Sequence, residues 1–328
     1  MLAAGADLIG RVEQLGAMGF LEVLHTLPRH LRLLHRLSER ARDRYDLAIL
    51  IDYPGFHLRL GERLRQAGVP VVQFVAPQLW AWRPGRLARL RGAVDRLAVI
   101  LPFEPAWFEP RGIACHFVGH PLMDEPLPDR SLAREAMGIP PAQLVLGIFP
   151  GSRRAEIDRN WPLFREVGRQ LLERDRCQRV LVAGTVDGKY PGAAGFEVHR
   201  EAARTVLAAA TAALVKSGTT TLEAACIGTP MVVAYRASWS SQAIARRLMT
   251  VDSISLVNLI LPLPVVPEFW HWPLRPARIV AALEPLLDPD STLHRHQQDA
   301  FTRVRAALGS PGAASRVAEV ALALLDGA

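Results

Sequence analysis

Short apolar runs alternate with amphipathic stretches along the first third of the chain. Tyr45 to Ile51, Val69 to Val75 and Leu97 to Leu101 read as buried strands, with Phe56 to Ala67 and Pro84 to Val94 as the helices between them. An amphipathic helix over Pro28 to Arg44 comes first, placing Leu27, Leu31, Leu34, Leu37 and Ala41 on one face. From Met123 to Gln143 the rhythm breaks at Pro126, Pro128, Pro140 and Pro141, around one short helix from Ser131 to Met137. This stretch reads as the connection between two domains. A second series follows, with strands at Leu144 to Phe149, Arg179 to Ala183, Ala212 to Val215 and Met231 to Tyr235. Its helices run from Trp161 to Arg174, Glu201 to Ala210 and Thr220 to Ile227, and an amphipathic helix from Ala313 to Leu325 ends the chain. The alternation predicts an α/β protein with two parallel, doubly wound, Rossmann-like domains facing across a cleft. In such sheets ligands bind beyond the carboxyl ends of the strands. Polar residues just after each strand are therefore the candidates for chemistry.

Composition supports this picture and narrows it. A chain of 328 residues that is 50% hydrophobic can build two cores and is not disordered. Its three cysteines, Cys115, Cys177 and Cys226, are too few and too scattered for a disulfide framework or a CxxC zinc site, which fits a reducing compartment. No signal-peptide pattern is visible at Met1, and the most apolar stretch, Ile254 to Val266, is cut by Asn258, Pro262 and Pro264. The expectation is a soluble or membrane-surface protein of the cytoplasm. Net charge is +7, and of 39 basic residues only Lys189 and Lys216 are lysines. A positive balance suits an anionic partner such as a phosphate, a nucleotide or an acidic lipid. Nucleic acid is disfavoured, because no recognition motif is present.

Three strand-end segments carry candidate chemistry. Asp52, before Pro54 and Gly55, offers a carboxylate able to take a proton from a hydroxyl, although its position alone favours a turn or N-cap residue serving the helix from Phe56. Pro150-Gly151-Ser152-Arg153-Arg154 joins a strand to a helix, so free backbone N–H groups and a guanidinium can meet a phosphate there. Lys216-Ser217-Gly218-Thr219-Thr220-Thr221-Leu222-Glu223 repeats that setting. Gly218 permits close approach to a diphosphate and Glu223 can hold a ribose diol, although Thr220 and Glu223 also have the spacing of a capping box. Trp80 and Trp82 read as pocket lining or as packing, and His120 in Phe117-Val118-Gly119-His120-Pro121 as a junction histidine. The six arginines between Arg29 and Arg44 read as a solvated face or a headgroup contact. Neither GxxxxGK[ST] nor GxGxxG nor HExxH occurs, which argues against a P-loop enzyme, a nicotinamide dehydrogenase and a zinc protease. No cofactor and no metal are expected. Asp288-Pro289-Asp290 has DxD spacing but sits in a proline-broken turn.

Taken in order, several segments resemble the lipid-A-disaccharide synthase family of GT-B glycosyltransferases. They are Met18-Gly19-Phe20-Leu21-Glu22-Val23-Leu24, Ile51-Asp52-Tyr53-Pro54-Gly55-Phe56, Trp80-Ala81-Trp82-Arg83-Pro84, Pro102-Phe103-Glu104-Pro105, Phe117 to Pro121, Pro150 to Arg153, Ser217 to Glu223 and Pro230 to Arg236. The resemblance implies transfer from UDP-2,3-diacylglucosamine to 2,3-diacylglucosamine 1-phosphate with inversion, and peripheral attachment to the inner face of the inner membrane. It leaves a homo-oligomer open. It implies Asp52 as base, Arg153 at the leaving diphosphate with Gly151 and Ser152, and Ser217, Gly218, Thr219 and Glu223 around UDP. Asn258, Glu268, Trp82 and His120 fall on the substrate side. It implies an acceptor-side domain over 1–122, a UDP-sugar domain over 123–312 and a helix over 313–328 that packs back on the first. The family's usual opening strand and Gly-rich loop have no counterpart before Met1, so the first domain is expected to be incomplete. Gly55 and His57 stand where the family usually has Asp and Asn, and Leu261-Pro262-Leu263 where it tends to have Ala-Gly. A UDP-sugar-binding remnant without activity, another GT-B transferase, or a UDP-sugar epimerase are the competing readings.

Overall fold

The computed structural model describes residues 5, 7, 9, 20–41, 44–82, 84–236 and 249–326, with the side chains of 20–27 and 84 left aside. Met18, Gly19, Arg83, and the side chains of Leu27 and of Phe20 to Leu24 lie outside that description.

The first half contributes α1 (Phe20–Ala41), β1 (Ala48–Ile51), α2 (Pro54–Gln66), β2 (Val71–Phe74), α3 (Leu87–Ala93), β3 (Arg96–Val99), α4 (Glu104–Phe108) and β4 (Cys115–Phe117). The strands form a parallel sheet in the order β1-β2-β3-β4. After α5 (Arg130–Ala136) come β5 (Val145–Phe149), α6 (Arg154–Glu173), β6 (Arg179–Gly184), β7 (Glu197–Arg200), α7 (Ala203–Ala209), β8 (Ala212–Val215), α8 (Thr219–Ile227) and β9 (Met231–Ala234). The chain ends with α9 (Leu256–Ile260), β10 (Glu268–Phe269), α10 (Pro276–Leu287), α11 (Thr292–Ala307) and α12 (Ala313–Asp326). The second sheet is also parallel, in the order β10-β9-β8-β5-β6-β7.

The inner strands of both sheets are covered on two faces, which is why they read as continuous apolar runs. In the second sheet Leu146, Ile148, Val180, Val182, Leu214 and Val232 face α6 and α10. Their neighbours Val145, Phe149, Leu181, Val215 and Val233 belong to the core that α7, α8 and α11 also build. In the first sheet Val71, Leu97 and Val99 face the core shared with α2 and α3. Val72, Ala98 and Val118 face the last helix, through Val317, Ala321 and Leu324. Among the described residues the first sheet ends on one side at β1, where Ile49 and Ile51 are 43% and 48% exposed.

The chain crosses between the halves at Val118–Asp124 and again at Leu308–Arg316, and the two crossings are bonded to each other. The His120 amide donates to the Leu308 carbonyl at 2.9 Å, Arg316 Nε to the Val118 carbonyl at 2.8 Å, and the Gly312 amide to Asp124 Oδ1 at 2.6 Å. Gly119 and Gly309 meet there, both with positive φ (79° and 85°). A third contact is the antiparallel bridge of Trp82 with Met249, beside which Thr250 Oγ1 donates to the Trp80 carbonyl at 2.5 Å.

Candidate functional site

The order in which strands are added to the second sheet reverses at its centre. From β5 the chain winds outward through β6 and β7, then returns to β8, β9 and β10 on the other side. The gap between β5 and β8 is the topological switch point, where open α/β sheets bind ligands. The loops leaving these two strands are the two Gly-Ser segments, and they share one cavity of about 310 Å³. Its lining includes Gly151, Ser152, Arg153, Lys216, Ser217, Gly218 and Thr219.

The glycines are required by backbone geometry. Gly151 has φ 139° and Gly218 φ 149°, values side-chain-bearing residues rarely adopt. A Cβ on Gly151 would lie 2.7 Å from the Glu156 Cβ, and one on Gly218 would lie 3.3 Å from Lys216 Nζ. Neither α6 nor α8 has a side-chain N-cap. The capping box suggested by Thr220 and Glu223 does not form. Gly218 is the N-cap of α8, and Thr221 instead turns back on it, its Oγ1 donating to the Gly218 carbonyl at 2.8 Å. Helix N-termini left this way present amides and a positive dipole to the cavity.

Glu156, in the first turn of α6, already balances this positive charge. Its Oε1 lies 3.1 Å from Lys216 Nζ and 3.9 Å from Arg153 Nη1, while Oε2 accepts the Ser152 amide at 3.3 Å. Glu223 sits further along α8 and does not line the cavity. Burial raises its pKa against the opposing pull of Arg204.

Asp52 lies at the carboxyl end of β1 and is exposed. It and Tyr53 both take left-handed backbone, φ 50° and 47°, and Val75 at the matching end of β2 has φ 67°. Such conformations cost roughly 1–2 kcal/mol per residue and, for a β-branched residue, are rare. Strain of this kind gathers at functional sites. The Asp52 amide donates to the Phe74 carbonyl at 2.8 Å, and the Asp52 carbonyl accepts His57 Nδ1 at 2.7 Å. Burial lowers the His57 pKa, against the raising influence of Asp52. Tyr53, Phe56, His57 and His30 form an aromatic cluster alongside, in which His30 Nε2 and the Tyr53 hydroxyl are 2.9 Å apart.

The remaining candidates make internal contacts. Asn258 is buried and clips the loop after α9: its Oδ1 accepts the amides of Val265 and Val266, and its Nδ2 donates to the Val266 carbonyl and to Glu268 Oε1. Glu268 also accepts the amides of Ile254 and Ser255, and burial raises its pKa. Ser217 Oγ donates to the Ile254 carbonyl at 2.5 Å, so the clip borders the cavity. His120 Nδ1 accepts the Leu122 amide, and burial lowers its pKa to about 4. Trp82 is 45% exposed, whereas Trp80 is buried and donates Nε1 to Glu104 Oε1 at 3.0 Å. The structure thus gathers the two glycine loops, ties Asn258 to Glu268, and leaves Asp52, Glu223, Trp82 and His120 outside the cavity.

A family model described as lipid-A-disaccharide synthetase matches residues 1–322. The chain belongs to the lipid-A-disaccharide synthase family. Relatives of that name include one from Anaeromyxobacter sp. (strain K), 39% identical over 98% of this chain and 87% of its own length. Another, from Myxococcus xanthus, is 37% identical over 99% and 88%. As a lipid-A-disaccharide synthase family member the chain is a glycosyltransferase of lipid A biosynthesis. Among solved structures it is similar to UDP-GlcNAc 2-epimerase from Neisseria meningitidis, with TM-score 0.60 and 11% identity, covering 93% of this chain and 82% of that one. Acinetobacter baumannii MurG gives TM-score 0.56 and 14% identity, over 90% and 78%. These neighbours share its GT-B-like fold of two parallel sheets.

For this member of the lipid-A-disaccharide synthase family, the sequence pattern does not single out Glu156 in the cavity lining or His30 against Tyr53. Glu156 follows Gly151 by five residues in a basic loop, a spacing that could have marked it.

Proposed function

We propose that the chain joins UDP-2,3-diacylglucosamine to 2,3-diacylglucosamine 1-phosphate, giving a β-1,6-linked disaccharide 1-phosphate and UDP. Asp52 takes the proton of the acceptor 6-hydroxyl as that oxygen attacks the donor anomeric carbon from the face opposite UDP. The bond from that carbon to the diphosphate oxygen breaks, and UDP leaves with both electrons. The leaving charge is met by the amides at Gly151 and Ser152, the guanidinium of Arg153 and the turn at Ser217, Gly218 and Thr219. Glu223 holds the ribose. Asn258 and Glu268 shape the loop beside Ser217, while Trp82 and His120 stand on the acceptor side. The acceptor-side unit is 1–122 and the UDP-sugar unit 123–312. No described helix is long and apolar enough to cross a membrane. Both substrates carry acyl chains, so the protein works attached to the inner face of the inner membrane. There Arg29, Arg32 and Arg36 of α1 meet headgroups and the exposed Leu263 meets the acyl region.

The observation that carries this reading is the pair of glycine turns flanking the switch point of the second sheet around one cavity. Asp52→Asn is expected to bind UDP with unchanged affinity in calorimetry and to lose transfer by about 10²-fold or more. Arg153→Ala weakens both binding and transfer. Transfer at the parental rate by Asp52→Asn would refute the base. Acceptance of water-soluble sugars in place of the acylated acceptor would refute the substrate class.

A further inference from the structure

Gln73 is 1% exposed on β2, in a strand whose neighbours Val71 and Val72 are fully buried aliphatics. Packing therefore does not demand an amide at this position. Its Nε2 lies 3.2 Å from three carbonyl oxygens at once: Asp52 on β1, Phe74 on its own strand, and Val75 just beyond it. Turning the amide over would set Oε1 against those same three oxygens, so the neighbours fix the orientation. In this orientation Oε1 is buried with no partner. An unsatisfied acceptor is a cost that an aliphatic residue would avoid. What offsets it is the work of the two N–H groups.

Those groups act on the strained part of the first sheet. Asp52, Tyr53 and Val75 are its described non-glycine residues with positive φ, and the Gln73 amide touches the carbonyls of two of them. The Asp52 backbone is then held three times: by Gln73, by His57 Nδ1 on the same carbonyl, and through its own amide to Phe74. We propose that Gln73 is a positioning residue for transfer, clamping the carboxyl ends of β1 and β2 so that the Asp52 carboxylate is presented in one orientation. This rests on the reading of Asp52 as the base. Misplacing a reacting group by about 1 Å costs on the order of 10²-fold in rate. The nucleotide cavity lies on the other sheet and does not share this tie.

The test is Gln73→Met, which keeps length and apolar volume and removes both N–H groups. Transfer kcat is expected to fall about tenfold or more, with the UDP Kd held within about twofold. The discriminating step is the same substitution in an Asp52→Asn background. A residue acting through Asp52 changes the residual rate there by less than about twofold. Parental kcat in Gln73→Met, with Asp52→Asn inactive, overturns the proposal and leaves the base reading standing. An equal loss in both backgrounds overturns it as well, because Gln73 would then act elsewhere. Parental activity in Asp52→Asn overturns the base reading and the clamp with it. If Gln73→Met does not fold, Gln73→Asn, whose amide is drawn back by one methylene, is read in the same two backgrounds with the same outcomes.

Discussion

Glu156 lines the cavity proposed above to take the diphosphate. Its carboxylate holds Lys216 at 3.1 Å and the Ser152 amide at 3.3 Å, and it is 13% exposed. A phosphate drawn to the same amide and ammonium would settle roughly 5 Å from that carboxylate. Two unit charges at that separation repel by roughly 0.8 kcal/mol at the dielectric of water and roughly 3.3 kcal/mol at an effective dielectric of about 20, the surface value. Glu156→Gln removes the charge and keeps an acceptor for the Ser152 amide, so the turn is preserved. UDP affinity should therefore tighten about tenfold, corresponding to about 1.4 kcal/mol. Titration calorimetry of UDP into the parental protein and the variant measures this directly. Adding salt should narrow the difference, because part of the repulsion is screened. An unchanged or weaker Kd in Glu156→Gln would refute the reasoning, since the carboxylate would then be a ligand or a support and not a competitor.

Two other outcomes concern stability. Burial raises the Glu104 carboxyl to about 7, although it accepts Trp80 Nε1 and the amides of Ile100 and Leu101. The folded protein thus holds this proton more tightly than the unfolded chain. Its contribution is full below about 4.5 and is lost as pH rises through 7, by an amount of the order of a few kcal/mol. Urea midpoints taken across that range should decline in the parental protein and decline less in Glu104→Gln; parallel curves would contradict the assignment. Leu324, 5% exposed between α12 and the first sheet, should cost about 2 kcal/mol or more as Leu324→Ala. Thermal melting checks it, and an unshifted midpoint would mean the helix contributes nothing there.

Much of the fold is legible in the pattern, because strands buried on both faces leave unbroken apolar runs. Ala212–Val215 is read to the residue. Helix starts are less legible where proline intervenes. The pattern starts α1 at Pro28 and α6 at Trp161, but the helices begin at Phe20 and Arg154, with Pro28 and Pro162 inside them. A proline there gives up one backbone bond, and packing outweighs that loss: α6 buries Ile157, Trp161, Phe164 and Leu171 along one face. The strands β4 and β7 are less legible: β4 has only three residues, and β7 is a half-exposed edge reading Glu-Val-His-Arg. At the site, the two glycine loops are legible since each directly follows an apolar strand. The pairing of Lys216 with Glu156 is not, because the residues lie far apart in sequence and only the return of the chain from β7 to β8 joins them. The internal bonding of Asn258 with Glu268 is equally invisible in one dimension.

The paired crossings between the halves have a mechanical meaning. A single connecting segment would let two lobes swivel in every direction. Here two segments run side by side, pinned to each other from His120 to Leu308 and from Arg316 to Val118, with Gly119 and Gly309 face to face. Such a joint resists twisting and sliding of one half on the other. The bridge of Trp82 with Met249, beside the bond from Thr250 to Trp80, ties the halves a third time away from that line, so the relative placement of the two sheets is fixed at three separate points along the chain.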